Sequence, residues 1–208
     1  MDLDHIVFAT ADLQAGQAWL TGRLHAPPVG GGAHPLMGTH NALWSLGPTY
    51  LELIAIDPAA PPPSRPRFFD LGTGAMQDRI RDRPALIHWV MRSRNTDTDL
   101  PALGYDPGPA LPMTRGDLHW RLTVRADGTM AGGGLLPSLV EWPSGVTPPP
   151  GTLPDAGLRL SQLLVTGAAA TLAHAPAAPG VHTVRGTPGL AAEIIRGDGS
   201  TVRFASQI

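Results

Sequence analysis

Residues 3–10 read LDHIVFAT, and residues 86–93 read LIHWVMRS. The apolar positions of the two runs match, and His88 falls on His5 at an offset of 83 positions. A second pair of runs, YLELIA at 50–55 and LVEWPS at 139–144, places Glu141 on Glu52 at an offset of 89. The similar offsets indicate an internal repeat, in which each copy offers a histidine on its first strand and a glutamate on its last.

The elements around the first copy follow from its spacing. A helix is predicted over 12–24, with Asp12 as its N-cap and leucines at helical spacing. Residues 26–38 are rich in glycine and proline and predict a loop or a degraded strand. Strands follow at 39–47 and 50–56, joined by a Gly-Pro turn.

The second copy repeats this order after a connector that contains a short predicted helix near 75–82. Its strand at 85–93 is followed by a short helix at 96–103, capped by Thr96 or Asp97. Its remaining strands are predicted at 108–114, 118–125 and 135–142. A third, shorter round begins with a strand at 157–166, followed by a helix near 168–175 and strands near 190–196 and 201–205.

Short strands with a helix early in each round predict an α+β protein rather than alternating βαβ units. Residues 1–58 form the first βαβββ module and residues 85–145 the second, with a connector at 59–84. A β-rich extension covers 155–208. Together these segments are expected to make one domain with a curled mixed sheet and a C-terminal partial third module.

Composition excludes several classes of function. The 208 residues contain no cysteine, which rules out thiolate chemistry, and all 15 basic residues are arginine, which rules out lysine Schiff bases and P-loops. A formal net charge of −2 without charge runs indicates no nucleic-acid or membrane partner. The N-terminal run lacks a basic leader, so a cytoplasmic protein is expected.

The strand bearing Asp4-His5, the helix after it and the hairpin ending in LELI resemble the vicinal-oxygen-chelate superfamily. More narrowly, three runs resemble the glyoxalase-like domain proteins of bacteria: GGGAHPLMGTHNALWSLGPTYLELIAIDP, GYDPGPALPMTRGDLHWRLTV and GGLLPSLVEW. The similarity covers roughly residues 1–165. It implies paired βαβββ modules in a half-open sheet, with one small-molecule site formed by the first and last strands of each module.

The resemblance implies a metal site at His5, Glu52, His88 and Glu141. Two imidazoles and two carboxylates suit Zn, Ni, Mn, Co or Fe, with positions left open for two oxygens of a substrate. The expected activity is that of a metal-dependent lyase or isomerase of a small oxygenated metabolite. Glu52 or Glu141 would leave the metal to act as catalytic base, and no organic cofactor is expected.

Four further residues are candidates for substrate binding. His40 and Asn41 lie on the strand at 39–47, where His40 shares a face with Trp44 and is expected to point into the curled sheet. The guanidinium of Arg115 could bind a carboxylate or phosphate of a substrate through two hydrogen bonds. The alternative is that Arg115 is an exposed residue of an ordinary turn. Trp120 is interpreted as core first and pocket lining second.

The tryptophans that follow the candidate ligands, Trp89 and Trp142, are predicted to face away from the site. His34 receives no assigned chemistry.

Two other functions remain open from the sequence. One is a metal-free binding protein for an antibiotic-like small molecule, which an aromatic-rich cleft without ligands would favour. The other is an Fe(II) extradiol-type dioxygenase, with His5, His88 and Glu141 as a facial triad. Monomer and homodimer are both compatible with an internal repeat.

Overall fold

The first module of the chain begins with a strand and ends with one that lies parallel beside it. In the computed structural model, which describes residues 1–208, the elements are β1 (Asp2–Ala9), α1 (Leu13–Leu24), β2 (Gly30–His34), β3 (Thr39–Ser45) and β4 (Tyr50–Ile56). The Asp12 side chain accepts from the Ala15 N–H and caps α1, as predicted. The glycine-rich segment, for which a loop or a degraded strand was predicted, forms β2.

The second module has the same order of elements. A short α2 (Gly74–Arg79) in the connector leads to β5 (Ala85–Ser93), α3 (Thr96–Asp99), β6 (Ala110–Arg115), β7 (Leu118–Thr123) and β8 (Ser138–Glu141). The side chain of Asn95 caps α3 by accepting from the N–H groups of Asp97 and Thr98. The predicted caps Thr96 and Asp97 are therefore wrong: they are the first two residues of the helix, one and two positions after the actual N-cap.

Eight strands of the two modules form one mixed sheet in the order β2-β3-β4-β1-β5-β8-β7-β6. In both modules the first strand pairs in parallel with the fourth, and the two modules join through the antiparallel pair β1 and β5. The edge strands β2 and β6 contact each other. The sheet is therefore curled, which confirms the predicted fold class.

The C-terminal segment repeats the order of elements but not the pairing. It comprises β9 (Arg159–Gly167), α4 (Ala169–Leu172), β10 (Val181–Arg185), β11 (Gly189–Ile195) and β12 (Thr201–Gln207). These strands form a separate sheet in the order β10-β9-β11-β12, where β9 is parallel to its second strand, β10. The sequence prediction did not include β10, whose residues are mostly exposed.

Two apolar layers lie on opposite faces of the eight-stranded sheet. The outer face, which carries Phe8, Trp44 and Trp89, packs against α1 and the four-stranded sheet. The inner face, which carries Val7, Ile54 and Val90, is enclosed by the curl and by the connector. Burial of apolar side chains on both faces accounts for strands with nearly continuous apolar sequence. No helix has the length and hydrophobicity needed to cross a lipid bilayer.

Candidate functional site

A small cavity lies on the inner face, where the two modules meet. Its volume is about 20 Å³, and about one water molecule fits in a space of this size. Polar residues come mainly from the first module and aromatic residues from both modules and the connector. The lining consists of His5, His34, Tyr50, Glu52, Phe68, Phe69, Arg115, Trp120, Leu122 and Trp142.

Asn41 holds the polar side of this cavity together. Its Nδ2 donates to Glu52 Oε1 at 2.5 Å and lies 3.3 Å from His34 Nε2, while its Oδ1 accepts from the Gly32 N–H at 3.0 Å. Arg115 Nη1 also reaches this oxygen at 3.4 Å. The amide thus uses both its donors and its acceptor, which fixes its orientation and that of Glu52.

His5 faces the same carboxylate from β1. Its Nδ1 lies 2.8 Å from Asp4 Oδ1, and because an ionised carboxylate only accepts, this nitrogen carries a proton. Its Nε2 points toward Glu52 Oε2 at 3.7 Å, which is longer than a hydrogen bond. His5 and Glu52 therefore face each other across the cavity, each fixed from behind by a buried partner.

Asp4 is a fully buried carboxylate with three partners. Besides His5, it accepts from Arg92 Nε at 2.7 Å and from Trp142 Nε1 at 3.0 Å. Burial alone would raise the pKa of Asp4, but the hydrogen bonds and positive charge from His5 and Arg92 outweigh it and lower the pKa. Asp4 is therefore ionised and orients both the His5 ring and the Trp142 ring.

His34 is a neutral histidine in the cavity wall. Burial lowers its pKa to about 4, opposed only in part by the nearby Glu52 carboxylate. Its Nδ1 lies 3.1 Å from Thr39 Oγ1, so both ring nitrogens have partners in the neutral state. Burial, reinforced by the Asp4 and Glu52 carboxylates, likewise raises the pKa of Tyr50 well above its usual value.

Arg115 brings a positive charge to the cavity from the second module. It ends β6 at the tight turn into β7, and its side chain packs over β2, where an added Cβ on Gly32 would lie 2.8 Å from Arg115 Cγ. The guanidinium carbon stands 6.0 Å from the centre of the Trp120 ring. The absence of a side chain at Gly32 thus allows the arginine to cross from one module to the other.

The connector closes the cavity with two aromatic rings. Phe68 and Phe69 stack at 4.4 Å between ring centres, and Phe68 meets the edge of His34 at 6.0 Å. Phe69 and Asp70 both have a φ of 59°, the left-handed region that is uncommon for residues with side chains. Asp70 fixes this conformation by accepting from the Met130 N–H at 3.1 Å.

The repeat places Ser138, not Glu141, at the position equivalent to Glu52. Val7 pairs with Glu52 in the first module, and its repeat equivalent Val90 pairs with Ser138 in the second. His88 Nε2 accepts from the Ser138 N–H at 3.1 Å and lies 3.0 Å from the Ser138 Oγ, while its Nδ1 lies 3.3 Å from the Gly134 carbonyl oxygen. Burial lowers the pKa of His88 to about 3.

Glu141 belongs to the opposite face of β8. Its Oε2 accepts from the backbone N–H of Thr96 at 2.6 Å and from the Thr96 hydroxyl at 2.7 Å, and Arg121 Nη1 lies 3.6 Å away. This carboxylate therefore holds the start of α3 and does not share the cavity with His5 and Glu52.

A sequence profile described as a glyoxalase-like domain matches residues 3–179 of the chain. The chain belongs to the glyoxalase-like domain family. A crystal structure of a hypothetical protein from Staphylococcus aureus is similar to this glyoxalase-like domain protein at 14% identity and a TM-score of 0.54, over 79% of this chain and 69% of that one.

Methylmalonyl-CoA epimerase from Mycobacterium tuberculosis aligns at 19% identity and a TM-score of 0.45, over 68% of this chain and 88% of that one. The Staphylococcus aureus structure supports the fold alone. No curated protein sequence matches the chain.

The metal set expected from the family resemblance does not assemble in this glyoxalase-like domain. Only His5 and Glu52 share the cavity, both nitrogens of His88 are occupied, and Glu141 is on the other face. No group of three or more His, Cys, Asp or Glu residues is arranged to hold a metal ion. A transition metal takes three or four protein ligands, so these residues do not fit it, nor do they form the facial triad of an Fe(II) dioxygenase.

The other expected site residues are divided between the two faces. Arg115 and Trp120 line the cavity, and Asn41 lies behind its lining, where it contacts Glu52 and Arg115. His40 lies on the outer-face side of β3, which carries Ala42 and Trp44. Trp89 packs on the outer face, as predicted. Trp142 was wrongly predicted to face away, because its neighbour Glu141 and not Trp142 takes the outward position.

Sequence reasoning missed His34 and the connector aromatics of the glyoxalase-like domain. His34 pairs with Thr39 across the turn between β2 and β3, so it shares the inner face with Asn41. If the glycine-rich segment is treated as a strand, the alternation of side chains along it predicts this shared face. Phe68 and Phe69 lie in a proline-rich connector without periodicity, and no local signal indicates where their rings point.

Proposed function

We propose that this protein is a lyase or isomerase that moves a proton on a small oxygenated carboxylate bound between its two modules. The observation that carries the proposal is the Glu52 carboxylate, fixed by Asn41 at 2.5 Å and facing His5 Nε2 at 3.7 Å inside a buried cavity. Buried, oriented pairs of this kind are typical of general acid–base catalysis. The substrate class is a short 2-oxo or 2-hydroxy acid.

Glu52 is the group assigned to take the proton. Its Oε1 is held by Asn41, so its Oε2 is the oxygen that remains free to approach a substrate carbon. His5 is assigned to the opposite step, which requires its ring to carry a proton on Nε2 as well as on Nδ1: the Nε2–H donates to the new negative charge or gives up its proton there, and the ring then remains neutral with Nδ1–H held by Asp4. Asp4 fixes the ring of His5 for this role through Nδ1.

Arg115 is assigned to the substrate carboxylate. It is the one arginine in the lining, and the fork geometry of its guanidinium suits two carboxylate oxygens. A positive charge near the oxygen of a developing enolate supplies the electrostatic stabilisation that this reaction needs. The proposal thus gives the electrostatic role that was expected of a metal to Arg115 and His5.

Entry of a substrate requires the connector to move. A space of about 20 Å³ admits no organic acid, and the Phe68 and Phe69 rings close it. The left-handed backbone at Phe69 and Asp70 is held by the contact with Met130, so release of that contact is the expected opening step. We expect Phe69→Ala to raise the association rate of small acids.

The test is exchange of substrate hydrogen with solvent deuterium, followed by proton NMR. Pyruvate, 2-oxobutyrate and the uncharged dihydroxyacetone serve as probes. We expect exchange with the two acids, its loss in Glu52→Gln, and weaker binding in Arg115→Met. Glu193→Gln, which changes a glutamate of the four-stranded sheet, is the matched control and should behave as the wild type.

A metal-free binding protein is the second candidate function. It is favoured by the lining, in which five of the ten residues are aromatic rings of Tyr, Phe or Trp. Binding of the acids without any exchange would replace the first proposal with this one. Neither binding nor exchange across the probes would reject the assignment of the cavity to small carboxylates.

A further inference from the structure

A second, much larger cavity lies on the outer face of the eight-stranded sheet. Its volume is about 480 Å³, within the range of small-molecule sites. Its walls come from α1, the end of α2, the start of β5 and the strand β12. The intervening sheet separates it from the cavity that holds Glu52.

Four arginines surround this outer cavity, and no carboxylate lines it. They are Arg23, Arg79, Arg83 and Arg203. Of the four, only Arg203 has a carboxylate within 4 Å, with 3.8 Å between its Nη1 and the Oε1 of Glu193. In a protein with a formal net charge of −2, four cations around one opening are a local excess that attracts anions.

Arg79 is the most firmly placed of the four. Its Nη2 donates to the Leu86 carbonyl oxygen at 3.1 Å and to the Ser206 hydroxyl at 2.8 Å, which ties α2 to β5 and β12. Burial lowers the pKa of this guanidinium, yet an arginine side chain stays charged at neutral pH. A half-buried cation without a carboxylate partner is stabilised by a bound anion.

The floor of the cavity is aromatic. Phe8 and Phe204 meet edge to face at 5.2 Å between ring centres, and Trp19 lies 5.8 Å from Phe204. Arg23 stands over the Trp19 ring at 4.9 Å. Phe8 and Phe204 are buried beneath the cavity, so the half-buried Trp19, with Arg23 beside it, provides the surface on which a flat heterocycle stacks.

We infer that this outer cavity is a binding site for a nucleoside diphosphate or a closely similar ligand that joins a planar base to adjacent phosphates. Arg79, Arg83 and Arg203 contact the phosphates, and Trp19, which packs against the buried Phe204, contacts the base. Arg23 lies between these two parts. The site is independent of the proposed acid–base cavity, because it uses the other face of the sheet.

The test is calorimetric titration of the full chain with ADP, inorganic pyrophosphate and adenosine. We expect ADP to bind more tightly than either fragment, and Arg83→Ala to weaken ADP binding roughly tenfold, as loss of a charge-assisted hydrogen bond does. Arg81→Ala is the matched control. Arg81 lies two positions away, is exposed, pairs with Asp78 and does not line the cavity.

Arg23→Ala provides a second variant, since Arg23 is exposed and its loss is compatible with folding. Equal ADP affinity in the wild type, Arg83→Ala and Arg23→Ala would overturn the site, as would an absence of ADP and pyrophosphate binding. Equal affinity for pyrophosphate and ADP would overturn the assignment of the aromatic floor to a base.

Discussion

Asn41 donates from Nδ2 to Glu52 Oε1 at 2.5 Å, and this bond joins neighbouring strands of the first module behind the cavity wall. Hydrogen bonds to a buried charged acceptor are among the stronger ones in proteins. Asn41 therefore sets the position of the proposed catalytic base, and its replacement tests the polar network directly.

Asn41→Asp places a second carboxylate against Glu52. Repulsion raises the pKa of the pair in the folded state, so the folded protein binds more protons than the unfolded one and loses stability as pH rises. We expect a loss of about 3 kcal/mol in the free energy of unfolding at pH 8 and a smaller loss at pH 5. Urea denaturation at both pH values measures this. Asn41→Ala is the control, and an equal loss at both pH values for the aspartate variant would contradict the prediction.

Stability should fall in acid because two buried histidines resist protonation. The pKa values of His34 and His88 are lowered to about 4 and about 3, whereas an unfolded histidine titrates near 6.5. Between those values the unfolded chain binds more protons, so each histidine costs about 1.4 kcal/mol per pH unit as pH falls below about 6.5.

Replacing His34 or His88 by Gln should make the free energy of unfolding less dependent on pH between 6.5 and 4.5. The exposed His182 on β10 serves as control, and His182→Gln should leave the slope as it is. Slopes that are the same in all three variants and the wild type would show that the buried rings are not responsible.

Gly32→Ala should displace the Arg115 side chain from the cavity. The new methyl group would meet Arg115 Cγ at 2.8 Å, the middle of a flexible side chain that can shift away. We expect roughly tenfold weaker binding of 2-oxo acids, together with a lower melting temperature, because Gly32 has a φ of 158° that residues with a side chain rarely adopt. Gly22→Ala, whose added Cβ meets nothing within 4 Å, is the control and should bind these acids as the wild type does.

Asp4→Asn should be among the most destabilising polar substitutions in the chain. It removes the charge that pairs with Arg92 and His5, and loss of one partner of a buried pair costs about 3 kcal/mol. Combination with Arg92→Leu in a double-mutant cycle measures the coupling. Additive effects of the two changes would show that the ion pair contributes nothing beyond its separate groups.

Removal of divalent metals should leave the protein unchanged. Both nitrogens of His88 are hydrogen-bonded and Glu141 holds α3, so EDTA is expected to alter neither the melting temperature nor deuterium exchange. Mass spectrometric metal analysis of the wild type and a His5→Ala variant gives the independent check. One equivalent of a transition metal in the wild type that is lost in the variant would contradict the geometry described for these residues.

The sequence predicted the fold well because the signals for it are local. Alternating apolar runs, the Asp12 cap and the repeat of LDHIVFAT in LIHWVMRS define both modules. In the C-terminal segment the strand β10 was not predicted, because its sequence VHTVR has few apolar residues. Its parallel pairing with β9 depends on distant contacts that no local pattern encodes.

Of the four residues expected to hold a metal, only the two from the first module come together, although Arg115 and Trp120 of the second module also line the cavity. His5 and Glu52 share the cavity, as the strand parity in the first module indicated. In the second module the motif LVEW matched LELI by letter, but strand pairing shifts the equivalence by three residues, to Ser138. Nothing in the sequence marks Ser138 as the equivalent of Glu52. The register of β8 against β5 is set by tertiary pairing and not by the local motif.

The difference between the two halves of the repeat has a stereochemical consequence. The His5–Glu52 pair lies in one half, its counterpart is the His88–Ser138 pair, and Arg115 reaches across from the second half. In the reaction proposed above, an acid anchored at Arg115 would present a single prochiral face to Glu52. The label that enters from deuterated water should accordingly occupy one enantiotopic position of the product, and the cavity should discriminate between mirror-image substrates.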